Sequence, residues 1–457
     1  MHLLLKNACY YTKNGFKTGS IGIKDGKISC FSDDFADKYH RVLDLKGLIV
    51  LPGLVDSHVH FRDPGPNCSE DFFSGSCAAA AGGITTACEM PNVEPPVSSV
   101  ATLQKRILQM EQKSLIDMAF YGAAGFTNRY NLQELLFSGV VAMKTFLAPG
   151  IPGLSVADDG ELYLLLKEAA QTSGRYMFHC ENQQVIDHLE QALQEQGLTD
   201  NSFHYLSRPQ VAEIESVSTI IQFAKATGAK VGVCHISVPE ACALVRGAQL
   251  EGVDIIAETC WHYLIFDHSY IDQFGPYAKC NPPLRSRRDV ELLWDYLADG
   301  TISMIGSDHA PHHDQAKRQG LAGPIWQAPS GLASIEVMLP MMLSQVNKGR
   351  LTLEQLVALM SENTCKNLGL YPQKGCLTVG SDADFTIIDM NKSYVIHKED
   401  LQTGARETAV MFDGLTVKGR PVYTIVRGQV IMDHGQLDLS KKGQGRFVSR
   451  TEPKNET

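Results

Sequence analysis

Through the middle of the chain, short apolar runs rich in β-branched residues alternate with longer segments of helical spacing. Eight such runs can be read, at 49–59, 83–90, 116–122, 140–146, 176–180, 230–236, 253–260 and 302–307. Segments 161–171, 211–226 and 290–297 supply helices between them. A strand-then-helix repeat builds a parallel sheet. Eight units over roughly 320 residues suit a (β/α)8 barrel, a fold of about 200 to more than 400 residues. The competing doubly wound sheet loses ground because no GxGxxG follows the first run.

The two ends of the chain have a different texture. Leu3-Leu4-Leu5, Ser20-Ile21-Gly22-Ile23 and Val42-Leu43-Asp44-Leu45 are short strands between polar turns. The segments 384–388, 421–426 and 429–431 look the same. The expected fold is therefore an α/β (β/α)8 TIM barrel at 53–371. One small β domain is expected from both termini, 1–52 and 372–440. The polar tail, 441–457, is expected to be poorly ordered.

Six of the eight runs end in or carry a polar residue suited to chemistry: His58-Val59-His60, Met90-Pro91-Asn92, Lys144, His179, His235 and Asp308. Catalytic groups of a (β/α)8 barrel sit at the carboxyl ends of its strands. His58 and His60 share one face of a strand, as i and i+2 positions do, and can chelate one metal ion. Asp56, two residues earlier, is placed to support an imidazole or to serve as an ordinary strand-end carboxylate. Lys144 lies inside an apolar strand, where an ammonium is costly unless it is paired or chemically changed. Desolvation frees its amine, which could add carbon dioxide and become an anionic oxygen ligand. His179 and His235 offer nitrogens for a second ion. Asp308 could bind metal and also take a proton from bound water, while His309 and His312 are candidates for supporting or substrate-binding roles.

Composition narrows the partner. With 41 Lys+Arg against 51 Asp+Glu, the net charge is -10. That argues against nucleic acid or an anionic membrane, which need a basic footprint. A small anion remains possible, because one local arginine can hold it. The 12 cysteines form no CxxC pair, so a thiolate zinc site is not signalled and buried free thiols are expected. No run approaches the ~18–20 apolar residues that span a bilayer. A cytoplasmic setting is expected.

These residues resemble the amidohydrolase superfamily, within it the cyclic-amide hydrolases: dihydroorotases, allantoinases and hydantoinases. The opening motif is carried by Pro52-Gly53-Leu54-Val55-Asp56-Ser57-His58-Val59-His60-Phe61-Arg62-Asp63-Pro64-Gly65. Ala81-Gly82-Gly83, Met90-Pro91-Asn92, Lys144, His179, His235, Asn281-Pro282-Pro283-Leu284-Arg285 and Ser307-Asp308-His309-Ala310-Pro311-His312 follow in the same order. The resemblance implies a (β/α)8 TIM barrel with a small composite β-sandwich domain, and two zinc ions per chain. His58, His60 and Asp308 hold one, His179 and His235 hold the other, and N6-carboxylated Lys144 and a hydroxide bridge them. It makes Asp308 the catalytic proton carrier, and Arg62, Asn92, Asn281 and His312 the substrate contacts. It also implies a homo-oligomer, a dimer or tetramer.

Three rings compete. Arg62, Asn92 and His312 resemble the carboxylate-binding set of dihydroorotases, so reversible hydrolysis of dihydroorotate to N-carbamoyl-aspartate is the first expectation. Hydantoinases and dihydropyrimidinases usually place a Tyr five residues after the bridging lysine, and here that position is Pro149. Tyr205-Leu206-Ser207-Arg208-Pro209 and Glu258-Thr259-Cys260-Trp261-His262-Tyr263 look closer to allantoinases and hydantoinases. An allantoinase- or hydantoinase-like hydrolase is therefore the alternative. A non-catalytic scaffold is disfavoured because every ligand position is filled.

Overall fold

A computed structural model gives the architecture of the chain. It describes residues 2–32, 39–63, 69–148, 150–151, 154, 156 and 158–451. The eight expected barrel strands are present: β1 (Leu54–Val59), β2 (Ile84–Glu89), β3 (Asp117–Phe120), β4 (Met143–Phe146), β5 (Tyr176–His179), β6 (Val231–Val233), β7 (Ile255–Cys260) and β8 (Ile302–Gly306). Neighbours run parallel from β1 to β3 and from β4 to β8. The short strand Gly122–Ala123, just past β3, pairs with β4 and continues the wall. Between β8 and β1 the wall is completed by a bridge from Val59 to His309. Asp56 works at that seam: its Oδ1 accepts the backbone N–H groups of His58, 3.1 Å, and Ser307, 3.0 Å. It thus joins two strands and touches no imidazole nitrogen.

The run at 49–59 serves two sheets. Ile49–Pro52 pairs with His2–Thr12 and Phe385–Val395, while Leu54–Val59 enters the barrel. Gly53 separates them. A Cβ there would lie 2.3 Å from Thr85 Oγ1 and 2.6 Å from Asp384 Cβ, so only glycine lets the two sheets approach. Strands from both ends of the chain form one nine-stranded, mostly antiparallel sheet.

The described part of the last segment, residues 441–451, departs from the expectation of a loose tail. Met118 N donates to Arg446 O and Val448 N donates to Met118 O. Phe447 packs tilted against Phe120 with centroids 6.0 Å apart, and Val448 is buried. The polar composition of 441–457 concealed two apolar residues that cover the free backbone edge of β3. Among the described residues, no helix is long and apolar enough to cross a membrane, and the eleven described cysteines are free.

Candidate metal centre

Because all barrel strands point one way, their carboxyl ends share one rim. His58 is the penultimate residue of β1, His60 follows it, Lys144 lies on β4, His179 ends β5, His235 follows β6 and Asp308 follows β8. The structure brings these six together. Asp308 Oδ1 lies 3.2 Å from His60 Nε2 and 3.4 Å from His58 Nε2. His179 Nδ1 lies 3.1 Å from His235 Nε2. The rings of His58 and His235 lie 5.3 Å apart and so connect the two pairs. Arg62, His235 and Asp308 all have positive φ, 55°, 38° and 45°. Strained backbone of this kind, outside glycine, clusters where a site must be aimed.

Buried partners set which nitrogen of each imidazole is free. His58 Nδ1 meets Glu258 at 2.8 Å, leaving Nε2 towards Asp308. His60 Nδ1 meets Asn92 Oδ1 at 2.7 Å, again leaving Nε2. His179 Nε2 meets Glu181 at 2.8 Å, leaving Nδ1 towards His235. Donating one ring N–H to a carboxylate or carbonyl orients the other nitrogen as a metal ligand. Arg208 and Ser57 hold the two carboxylates in turn. Burial alone would raise the Glu181 carboxyl, but Arg208 and His179 outweigh it and bring it to about 2. Burial alone would likewise lower His58, but Glu258 and Asp308 push it up to about 10. Two carboxylates around one imidazole describe a site short of positive charge.

Lys144 is fully buried, and its Nζ has no hydrogen-bond partner. The Nδ1 of His235 is also unpartnered. An orphaned buried amine beside imidazole lone pairs fits a site that takes additional groups. Four imidazoles, one carboxylate and a lysine convertible to an oxygen donor suit divalent ions of the zinc type. The same cannot be said of Asp117, Asp382 and Asp384, which also converge. There the Lys374 ammonium already occupies the centre.

Three of the substrate contacts expected from sequence, Arg62, Asn92 and His312, lie along the same rim. Arg62 donates to Pro311 O at 3.3 Å, and its turn is held by Glu89, which accepts the N–H groups of Phe61 and Arg62. His312 Nε2 is 2.9 Å from Ser330 O, so that nitrogen carries the proton and its Nδ1 is a buried acceptor without a partner. Asn92 gives its oxygen to His60, which leaves its amide N–H groups as donors. Asn281 Oδ1 is buried and unpartnered. His309 is structural, bonded to Glu70 at 3.0 Å and to Ser334 N at 2.9 Å. Pro64, Gly65 and Pro149 lie outside the described residues.

Sequence reasoning missed Glu258, Glu181 and His262 as parts of the site. Glu258 is an acidic residue inside an apolar strand, the same signal that singled out Lys144. Glu181 stands two residues after His179. His262 is fully buried with both ring nitrogens unpartnered, and no spacing marks it.

Comparison with known proteins agrees with this geometry. The amidohydrolase family model matches residues 49–431. The solved structure of L-hydantoinase (dihydropyrimidinase) from Arthrobacter aurescens superposes with a TM-score of 0.92 at 35% identity, covering 98% of this chain and 99% of that one. An allantoinase of Rubrobacter xylanophilus is 34% identical, with 97% of each chain covered. A dihydroorotase of Methanothermobacter thermautotrophicus is 36% identical, with 94% of each chain covered. The chain therefore belongs to the amidohydrolase family, in the group of these cyclic-amide hydrolases.

Proposed function

We propose that this protein hydrolyses a cyclic amide reversibly and that its ring carries a carboxylate, dihydroorotate being the substrate that fits best. The observation that carries this reading is the sorting of donors and acceptors at the rim. Arg62 and Asn92 present N–H donors, whereas His312 presents an acceptor. A carboxylate needs donors, and Arg supplies a fork matched to it. An acceptor beside them suits a ring N–H. In dihydroorotate the carbon bearing the carboxylate is bonded to a ring N–H, so both requirements are met by one edge of one molecule. Allantoin has many N–H groups and no carboxylate. It is the second reading, supported by the near-equal identities of 34% and 36% to an allantoinase and a dihydroorotase.

In this reading His58, His60 and Asp308 would hold one zinc ion, His179 and His235 would hold a second, and Lys144, converted to its carbamate, would supply an oxygen ligand. When bound, the ions polarise the amide carbonyl and lower the pKa of an attacking water. Arg62 and Asn92 fix the substrate carboxylate, and His312 receives the neighbouring N–H. The Asp308 carboxylate takes the water proton and returns it to the leaving ring nitrogen.

Two expected results test this. In a panel of dihydroorotate, N-carbamoyl-aspartate, allantoin, hydantoin and dihydrouracil, kcat/KM is highest for the first two. Arg62→Ala raises KM for dihydroorotate by about 10- to 100-fold, the weight of a lost charged hydrogen bond. Turnover of allantoin without dihydroorotate would overturn the substrate assignment. Second, Lys144→Ala protein carries less metal by elemental analysis and loses more than about 100-fold in activity, since even outer partners of a ligand cost 10–100-fold. Full activity in that variant would remove Lys144 from the centre.

A further inference from the structure

The motif that carries Asn281 ends in Arg285, an arginine with no part in the chemistry above. Arg285 is 6% exposed, and its whole fork is in use. Nε donates to Ser237 Oγ at 3.0 Å, one terminal nitrogen donates to Arg208 O at 2.5 Å, and the other donates to Glu213 Oε2 at 3.1 Å. These contacts lead to both members of one histidine pair.

One route runs to His235. Ser237 stands two residues after it. Glu213, on the helix Gln210–Thr227, accepts Ser237 N at 2.8 Å, Val238 N at 3.1 Å and the Ser237 hydroxyl. His235 itself has a φ of 38°. Such a backbone persists only where its surroundings over-determine it. Arg285, Glu213 and Ser237 supply that constraint on its carboxyl side. The other route runs to His179. Arg208, whose carbonyl Arg285 holds, donates to Glu181 at 2.6 Å, and Glu181 meets His179 Nε2 at 2.8 Å. The two routes end on facing nitrogens, His179 Nδ1 and His235 Nε2, 3.1 Å apart.

We propose that Arg285 is the positioning residue of the His179–His235 pair, setting the separation and aim of both imidazoles from one buried guanidinium. The proposal rests on the reading that this pair holds the second ion. Three acceptors around one side chain need a planar fork with several fixed N–H groups, which lysine lacks. His58 and His60 are fixed by other partners, Glu258 and Asn92, so the first ion is spared.

The test challenges zinc-loaded, full-length protein with a graded zinc chelator and reads zinc per chain by elemental analysis. Wild type is expected to hold two ions. Arg285→Lys is expected to weaken one of them about 10–100-fold, the usual effect of losing an outer partner of a ligand. His179→Ala protein, which lacks the second site, is expected to hold one ion, and adding Arg285→Lys should change its affinity by less than about twofold, because that ion is held by other side chains. Ser237→Ala removes one hydroxyl from the clamp and keeps the backbone bonds to Glu213. It is expected to weaken the same ion about fivefold, the weight of one hydrogen bond, and it decides the matter if Arg285→Lys does not fold. Unchanged zinc affinity in the folded variants would overturn the positioning role. So would weakening of the ion that remains in His179→Ala, which is the mark of a merely loosened fold. Wild type holding a single ion would remove the two-ion reading instead, an outcome read without any variant and so distinct from failure at Arg285.

Discussion

Replacing Asp308 by asparagine is expected to lower kcat by about 10²–10⁴-fold, the usual contribution of a positioned acid–base group, while the fold stays intact. Asparagine has the same shape and keeps an oxygen that could face a metal, but it cannot hold the travelling proton. Asp308 is well placed for that task. Its Oδ1 stands between His58 Nε2 and His60 Nε2, at 3.4 and 3.2 Å, and its side chain is 12% exposed. Burial alone would raise its carboxyl, but His58 and His60 outweigh that and hold it well below the usual range, so the resting group is ionised. The readout is kcat alongside metal content. A large fall in kcat with metal retained supports proton transfer. Activity above about a tenth of wild type would exclude Asp308 as the proton carrier, and loss of metal alone would make it only a ligand.

Lys374→Met is expected to destabilise the protein by about 3–5 kcal/mol, the cost of stripping one partner from a buried ionic cluster. Lys374 is 2% exposed, and its Nζ lies 2.5 Å from Asp384, 2.6 Å from Asp117 and 3.0 Å from Asp382. Arg427 also contacts Asp117, and Lys27 reaches Asp382 at 2.6 Å. Asp117 begins β3 of the barrel, whereas Asp382 and Asp384 lead into Phe385–Val395 of the terminal sheet. The cluster therefore joins the two sheets. Methionine matches the length of lysine but leaves three buried carboxylates with less compensation. Denaturant unfolding, monitored by circular dichroism, reads the shift in midpoint. Adding Asp384→Asn to Lys374→Met should recover part of the loss, because one uncompensated charge is removed. A shift no larger than the ~0.5 kcal/mol of an ordinary surface substitution would show that the cluster contributes little.

The candidate site was legible in sequence where a single residue broke a local pattern. Lys144 interrupts an apolar strand, and the structure buries it without a partner. His58 and His60 carry the period of a strand, and they meet one carboxylate. Glu258 carried the same kind of signal and went unread. The tail misled because Phe447 and Val448 sit among polar residues and find their partners more than 300 positions earlier.

By itself the sequence determined the strand–helix alternation, the split β-rich ends and the ring of chemical side chains. Each is written in local periodicity and in chain direction, which place every strand end on one rim. Only the tertiary structure decided the partners. Glu258 reaches His58 across 200 residues, Ser330 fixes the proton of His312, and Lys374 gathers carboxylates from both sheets. Those contacts depend on how packed elements meet. No local pattern encodes that, and it sets which nitrogen of each imidazole is free.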